Sequence, residues 1–281
     1  MKCNNCVDMS AWLVASDIDG TLNSKLRRLP KVNFDAITRF VTECSGHFTL
    51  ASGRSVSSLK THYDALPAMK GTPVVVLNGA GLYDYENSRM LHFSALSEKT
   101  TDVVCDAAKR FKSIGVVVYT KDIIYGCGPA IFSKYLIFAD KSGGKHYRSI
   151  EDIPRGDWGK VVFSGVPSEI NRLKKYLLSL EDADATFMSS SIASFEVLAK
   201  NTNKGAAVLK LADILGIEHS HTCAIGDYFN DEAMLKTVGI SAACGQAPKK
   251  LKESVDYVAC HCNNGAVADF LGYIEKTVSK K

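Results

Sequence analysis

An apolar run, Ala11-Trp-Leu-Val-Ala-Ser16, is followed at once by Asp17-Ile-Asp-Gly-Thr-Leu22. The run is short for a helix and long enough for a strand buried on both faces. A buried strand that ends in two carboxylates and a glycine restricts the fold. It reads as part of a parallel α/β sheet, where helices cover both faces and ligand groups gather at the C-terminal ends of the strands.

The pattern that follows supports this class. Ile37, Phe40, Val41 and Cys44 recur at helical spacing over residues 31–45, and residues 47–51 form a second short strand that ends in Ser52-Gly53-Arg54. A helix at about 55–66 precedes a third strand, Pro73-Val-Val-Val-Leu77, which ends in Asn78-Gly79-Ala80. Strands alternating with helices imply βαβ units. Near residue 85 the texture changes. A helix at 97–113, strands at 115–120 and 122–125, helices at 129–139 and 167–180, and the strand Lys160-Val-Val-Phe163 lead to two back-to-back strands at 184–190 and 193–199. Short connections between adjacent strands imply antiparallel pairing. The βα pattern returns at Asn203, with Val208, Leu211, Ala212 and Leu215 on a helix, strands at 222–225 and 240–243, and a last helix marked by Val267, Phe270, Leu271 and Ile274. The expected organisation is an α/β core, residues 1–85 and 200–281, interrupted by an α+β insert over 86–199.

Composition narrows the partners. The formal net charge is +4 and the basic residues are scattered, the densest group being Lys249, Lys250 and Lys252, so a solvated helix face is preferred to a nucleic-acid surface. No stretch has the ~20 apolar residues that span a bilayer, and the polar first residues lack a signal-type core, so the expected location is cytoplasmic. Nine cysteines, an odd number without a compact framework, are expected to be reduced. Cys3, Cys6, Cys260, His261 and Cys262 supply soft zinc ligands in principle, but ligands one residue apart chelate poorly, and unligated thiols are preferred.

Four features stand at the C-terminal ends of strands or at a helix start. Asp17 and Asp19 can divide labour, one attacking and one moving protons. Ser52-Gly53-Arg54 offers a hydroxyl, an amide and a cation. Lys204 can neutralise phosphate and restrain a carboxylate nucleophile. Gly226-Asp227-x-x-Asn230-Asp231 adds oxygen ligands for a hard cation such as magnesium. Each alone is an ordinary turn or cap; their ordered appearance together points to phosphoryl transfer.

These segments resemble the four ordered motifs of the haloacid dehalogenase superfamily, and Leu77-Asn-Gly-Ala-Gly81 with the long insert is similar to its Cof-type phosphatases with the C2B cap. The resemblance spans all but the first ten residues. It implies a Rossmann-like core with an inserted α+β cap. It also implies hydrolysis of a phosphate monoester of a small metabolite, such as a sugar phosphate, through an aspartyl-phosphate. In that scheme Asp17 is the nucleophile and Asp19 the acid/base. Ser52, Gly53 and Lys204 hold the phosphoryl group. Mg2+ is bound by Asp17, Asp227 and the main-chain oxygen of Asp19, Asn230 and Asp231 support that set, and Asn78 and Arg54 face phosphate or substrate. Asn203 before Lys204, and Cys262-Asn-Asn-Gly265, depart from the family pattern. A phosphomutase shares the motifs, and a binding module without turnover is the remaining alternative. Specificity is expected in the cap, where Tyr125, Arg148 and Glu196 are candidates that sequence does not rank.

Overall fold

The computed structural model describes residues 7–141, 143–180 and 184–279. Its first half runs β1 (Leu13–Ser16), α1 (Lys31–Thr42), β2 (His47–Leu50), α2 (Val56–Asp64), β3 (Val74–Val76), β4 (Gly81–Asp84), β5 (Arg89–Phe93), α3 (Glu98–Arg110), β6 (Gly115–Tyr119), β7 (Ile124–Cys127) and α4 (Ala130–Asp140). The second half runs β8 (Gly144–His146), β9 (Lys160–Ser164), α5 (Pro167–Leu178), β10 (Ala185–Ser191), β11 (Ser194–Ala199), α6 (Lys204–Leu215), β12 (Thr222–Gly226), α7 (Glu232–Thr237), β13 (Ile240–Ala243), α8 (Lys249–Lys252), β14 (Tyr257–Val258) and α9 (Ala266–Val278).

The core sheet has five strands in the order β14-β13-β12-β1-β2, all parallel. Alternate residues of β1 explain why its sequence is apolar throughout. Val14 packs in a cluster with Ile37 and Phe40 of α1 and Phe270 and Ile274 of α9. Leu13 and Ala15 pack with Val208 and Leu211 of α6 and Met234 of α7. Both faces are covered, as a parallel sheet requires. The chain passes from β1 to β2 on one side and from β12 to β13 on the other, so strand order reverses between β1 and β12, which opens a crevice at their C-terminal ends.

The insert forms a six-stranded mixed sheet, β10-β11-β9-β6-β7-β8, in which β7 and β8 are parallel and the other pairs antiparallel. Val116, Val118, Val161, Phe163, Phe195 and Val197 point toward α3 and α5. The intervening positions Val117, Tyr119, Val162 and Leu198 join the core's own cluster. Two charged residues share that core-facing side: Glu196 opposite Val162, and Lys160 between Tyr119 and Leu198. Helix α4 lies over glycines on the same side: a Cβ on Gly126 or Gly144 would meet Ile137 at 2.7 or 2.9 Å. At its end, Asp140 accepts hydrogen bonds from the N–H and hydroxyl of Ser55, the N-cap of α2. The cap is thus docked on the core through polar contacts as well as apolar ones.

Three expectations need correction. Val74–Val76 does not continue the parallel ladder; it touches it through a single bridge, Val75 to Ala51, and pairs antiparallel with β4 in a separate three-stranded sheet. The hairpin β4–β5 and the short strands β8 and β14 escape the sequence pattern because they are brief and polar or sit at sheet edges. Cys44 is disulfide-bonded, against the expectation of reduced thiols, whereas Cys105, Cys127, Cys223, Cys244, Cys260 and Cys262 are free. Cys3 and Cys6 lie outside the described residues.

Asn33, fully buried in α1, binds the loop after Asp17 to the last helix. Its Nδ2 donates to Leu22 O at 2.8 Å and its Oδ1 accepts from Ala268 N at 2.9 Å. Replacing it with alanine leaves one buried and one partly buried backbone group without these partners. Asn33→Ala is expected to lower unfolding free energy by about 2–4 kcal/mol in urea titrations; a change within error would show that water restores both bonds.

Candidate active site

The loop after β1 is a tight turn built on its own backbone. Asp17 N–H donates to Ile225 O at 3.1 Å, extending the ladder to β12, and Leu22 and Asn23 N–H return to Asp17 O and Ile18 O at 3.2 and 2.9 Å. Gly20 sits at φ +90°, and a Cβ there would fall 2.3 Å from Asp227 Oδ2. Glycine is therefore required twice, by the backbone conformation and by the close approach of the second acidic loop. Gln246 joins these loops to a third: its Nε2 donates to Gly20 O at 2.5 Å and its Oε1 accepts from Cys262 N–H at 3.0 Å.

Lys204 opens α6, with the Asn203 side chain capping the helix through Ala206 N–H at 3.0 Å. The departure at Asn203 thus has a local reason, because asparagine is a strong N-cap. Gly79, at φ +100°, lets the Asn78 loop approach this helix start: a Cβ there would lie 2.1 Å from Asn203 O. Lys204 is 0% exposed, and its Nζ donates to Asp17 Oδ1 at 2.6 Å and to Asp231 Oδ1 at 2.7 Å. Asp231 Oδ2 in turn accepts from the N–H groups of Asp227 and Tyr228 at 3.0 and 3.3 Å.

Carboxylate oxygens of Asp17, Asp227 and Asp231 lie within 4.8 Å of one another. Burial, with repulsion from Asp231 and Asp227, pushes the Asp17 carboxyl up despite the counteracting ammonium of Lys204. Burial and Asp231 likewise push Asp227 up, to about 6. Burial alone would lower Lys204, but its two carboxylate partners reverse this and raise it. One lysine does not neutralise three carboxylates, and a hard divalent cation suits the surplus of oxygen donors. Asp231 has both oxygens engaged, which leaves Asp17 and Asp227 as the carboxylates placed to bind an ion. Among the described residues, Cys260, His261 and Cys262 take no part in such a convergence.

Across the crevice, Ser52 N–H donates to Val75 O at 3.0 Å, and Asn78 N–H returns to Ser52 O at 2.9 Å. Leu77 and Asn78 both take left-handed backbone conformations, at φ 53° and 56°. Arg54 grips Asp19 with Nε and Nη2, at 2.7–3.0 Å. The side chain of Asp19 is 46% exposed, at the mouth rather than the floor of the site.

A cavity of about 620 Å³ joins these groups, lined by Asp17, Asp19, Ser52, Gly53, Arg54, Asn78, Asp227 and Asn230 from the core. The cap adds Lys160, Ser190, Ser191, Ile192 and Glu196. The structure therefore gathers the residues expected from sequence, with Lys204 and Asp231 beneath them. Of the three unranked cap candidates it brings only Glu196. Tyr125 packs against Tyr147 in the cap's own cluster, and Arg148 lines a separate recess with Lys109 and Lys112. Sequence reasoning missed Lys160. Its signal is a cation at an inward position of an otherwise apolar strand, Lys160-Val-Val-Phe.

Comparison with known proteins agrees with this geometry. Residues 14–271 match the model of the haloacid dehalogenase-like hydrolase family. The chain is 29% identical to the HMP-PP phosphatase of Citrobacter koseri over 265 residues, covering 93% of this chain and 94% of that one. Among solved structures, a HAD subclass IIB sugar phosphatase superposes with a TM-score of 0.79 at 20% identity, over 94% of this chain and 98% of the other. A haloacid dehalogenase-like hydrolase from B. subtilis gives 0.80 at 21%, over 93% and 99%. The chain belongs to the haloacid dehalogenase-like hydrolases.

Proposed function

We propose that this protein is a Mg2+-dependent phosphatase that hydrolyses a phosphate monoester of a small metabolite of the sugar-phosphate kind. The observation that carries the reading is the buried ammonium of Lys204 fixed 2.6 Å from Asp17 Oδ1, with Asp227 alongside and Ser52 across the crevice. That arrangement presents an oriented carboxylate to an incoming phosphorus and supplies positive charge for its oxygens, which is what phosphoryl transfer needs.

In the first step an Asp17 oxygen bonds to phosphorus as the bond to the leaving oxygen breaks, and protonated Asp19 gives its proton to that oxygen. In the second, Asp19 takes a proton from water, whose oxygen bonds to phosphorus while the bond to Asp17 breaks, releasing phosphate and the free carboxylate. Ser52 and the Gly53 amide hold phosphoryl oxygens, and Lys204 restrains Asp17 and offsets charge. Asp17, Asp227 and the main-chain oxygen of Asp19 would hold Mg2+, with Asn230 and Asp231 supporting them. When bound, the ion shields the anionic nucleophile from the anionic substrate and polarises a phosphoryl oxygen. Arg54 holds Asp19 at the mouth, and residues 86–199 act as the cap over a core of 1–85 and 200–281.

Two predictions follow from these roles. Asp17→Asn is close in shape and is expected to keep the fold while lowering hydrolysis of p-nitrophenyl phosphate by about 10³-fold or more; surviving activity would refute the nucleophile assignment. The second concerns pH. Asp17 and Asp227 titrate above the ordinary 3.8 in the folded protein, so between about pH 4 and the folded values the native state holds protons that the unfolded chain has released. Their stabilising contribution is complete below about pH 4 and is lost as pH rises through about 6 to 7. Divalent binding needs both groups ionised. Metal-free protein is therefore expected to lose melting temperature across that window, and millimolar Mg2+ to raise it more at about pH 8 than at about pH 5.5. Equal increments at the two pH values would argue against a site made of these carboxylates.

A further inference from the structure

Every cation in the wall of the cavity already has an anionic partner. Lys204 lies between Asp17 and Asp231, and Arg54 is bound to Asp19. Lys160, 3% exposed, donates to Gly53 O at 2.6 Å, stands 3.5 Å from Glu196 Oε2 and lies over the Tyr119 ring at 4.5 Å. Glu196, 5% exposed, also accepts from Asn78 Nδ2 at 2.7 Å. A further cation, Arg27, lines a neighbouring recess that it shares with Asp140. Among the described residues lining the cavity, none offers an unengaged positive charge for a second anionic group.

What the upper wall does offer is hydrogen-bonding capacity for hydroxyls. Ser190 and Ser191 of the cap line it. Asn78 Oδ1 is buried with no hydrogen-bond partner, although its own Nδ2 is taken by Glu196. A buried acceptor without a donor is costly, and an alcohol O–H satisfies it, whereas a phosphate or carboxylate oxygen has no proton to give. Glu196 is likewise an acceptor. Lys160 lies on β9, two strands from the edge strand β10, while Gly53 and Asn78 belong to the core, so this pair also fixes how the cap meets the phosphate loop.

Resting on the phosphatase reading above, we propose that the Lys160–Glu196 pair, with Asn78, makes the site selective for monophosphate esters of neutral, hydroxyl-bearing leaving groups and against substrates with a second anionic group. Glu196 masks Lys160, so the wall next to the leaving group is charge-balanced and rich in acceptors. A second phosphoryl or carboxylate group meets Glu196 and Asn78 Oδ1 without a compensating cation. The same wall disfavours a bisphosphate that must bind by either end, which separates this protein from a mutase.

Paired substrates test this directly. For the wild type, kcat/KM is expected to favour a hexose 6-phosphate over the matching 1,6-bisphosphate, and glycerol phosphate over 3-phosphoglycerate, by about 10-fold or more in each pair. Glu196→Gln unmasks Lys160 and is expected to bring both ratios to within about 3-fold of unity. The double variant Lys160→Met, Glu196→Gln removes both charges and is expected to keep the wild-type preference, which also decides the matter if the single variant fails to fold. Wild-type ratios near unity or reversed, or a double variant that prefers the dianionic partner, would overturn the assignment. Isomerised hexose phosphate as the main product would overturn it as well. Hydrolysis of p-nitrophenyl phosphate separates the two levels: if the aryl ester is cleaved but the pairs show no preference, only the specificity assignment falls. If nothing is cleaved, the phosphatase reading falls and takes this inference with it.

Discussion

The ammonium of Lys204 is the interaction on which the rest of the site depends. A lysine with no solvent exposure is costly unless its charge is answered by close partners, and here Asp17 and Asp231 answer it at 2.6 and 2.7 Å. Breaking such a buried pair typically costs about 3–5 kcal/mol, so geometry around it is held tightly. Asp231 then aligns the Asp227 loop through two backbone N–H groups, and Asp227 in turn leaves room at position 20 for glycine alone. One charge thus fixes a helix start, two strand ends and the turn between them.

That network explains why the site sits where the strand order reverses. β1 and β12 are neighbours whose following loops diverge, and both carry their carboxylates just past the last ladder residue. The lysine arrives from the start of α6, which packs on one face of the sheet, and Gly79 lets the Asn78 loop come within contact of that start. Excess negative charge is left at the floor of the crevice. Charge is balanced again higher up, where Arg54 meets Asp19 and Lys160 meets Glu196. The site therefore has two electrostatic zones: an acidic floor that calls for a cation, and a charge-balanced wall.

The cap contributes through strand register more than through loops. On β9 and β11, alternation sends Phe163, Phe195 and Val197 into the cap's own core, and Lys160 and Glu196 toward the core loops that carry Gly53 and Asn78. A shift of one residue in either strand would turn an apolar side chain into the cavity and strand a charge among the phenylalanines, so the apolar packing of the cap also enforces the polar contacts across the cavity. Asp140 on Ser55 adds a second polar fastening at the start of α2.

Much of the fold was legible because the core strands are short, apolar and terminated by carboxylate, serine or glycine. Their period and their punctuation carry the parallel class without any tertiary information. The residues proposed for catalysis were easy to pick out for a related reason: Asp17, Asp19, Ser52, Lys204 and Asp227 each follow a strand or open a helix, so local sequence marks them. Edge strands such as Tyr257–Val258 gave no such mark, nor did the antiparallel hairpin that carries Val74–Val76 away from the parallel ladder. Only the tertiary structure decided that Asp231 spends its oxygens on Lys204 and the backbone, and that Arg54 holds Asp19. It alone placed Lys160 and Glu196 in the wall while turning Tyr125 and Arg148 away. The physical reason is that sequence records what a residue can do, whereas partners from strands more than a hundred positions apart decide which of its bonds are already made.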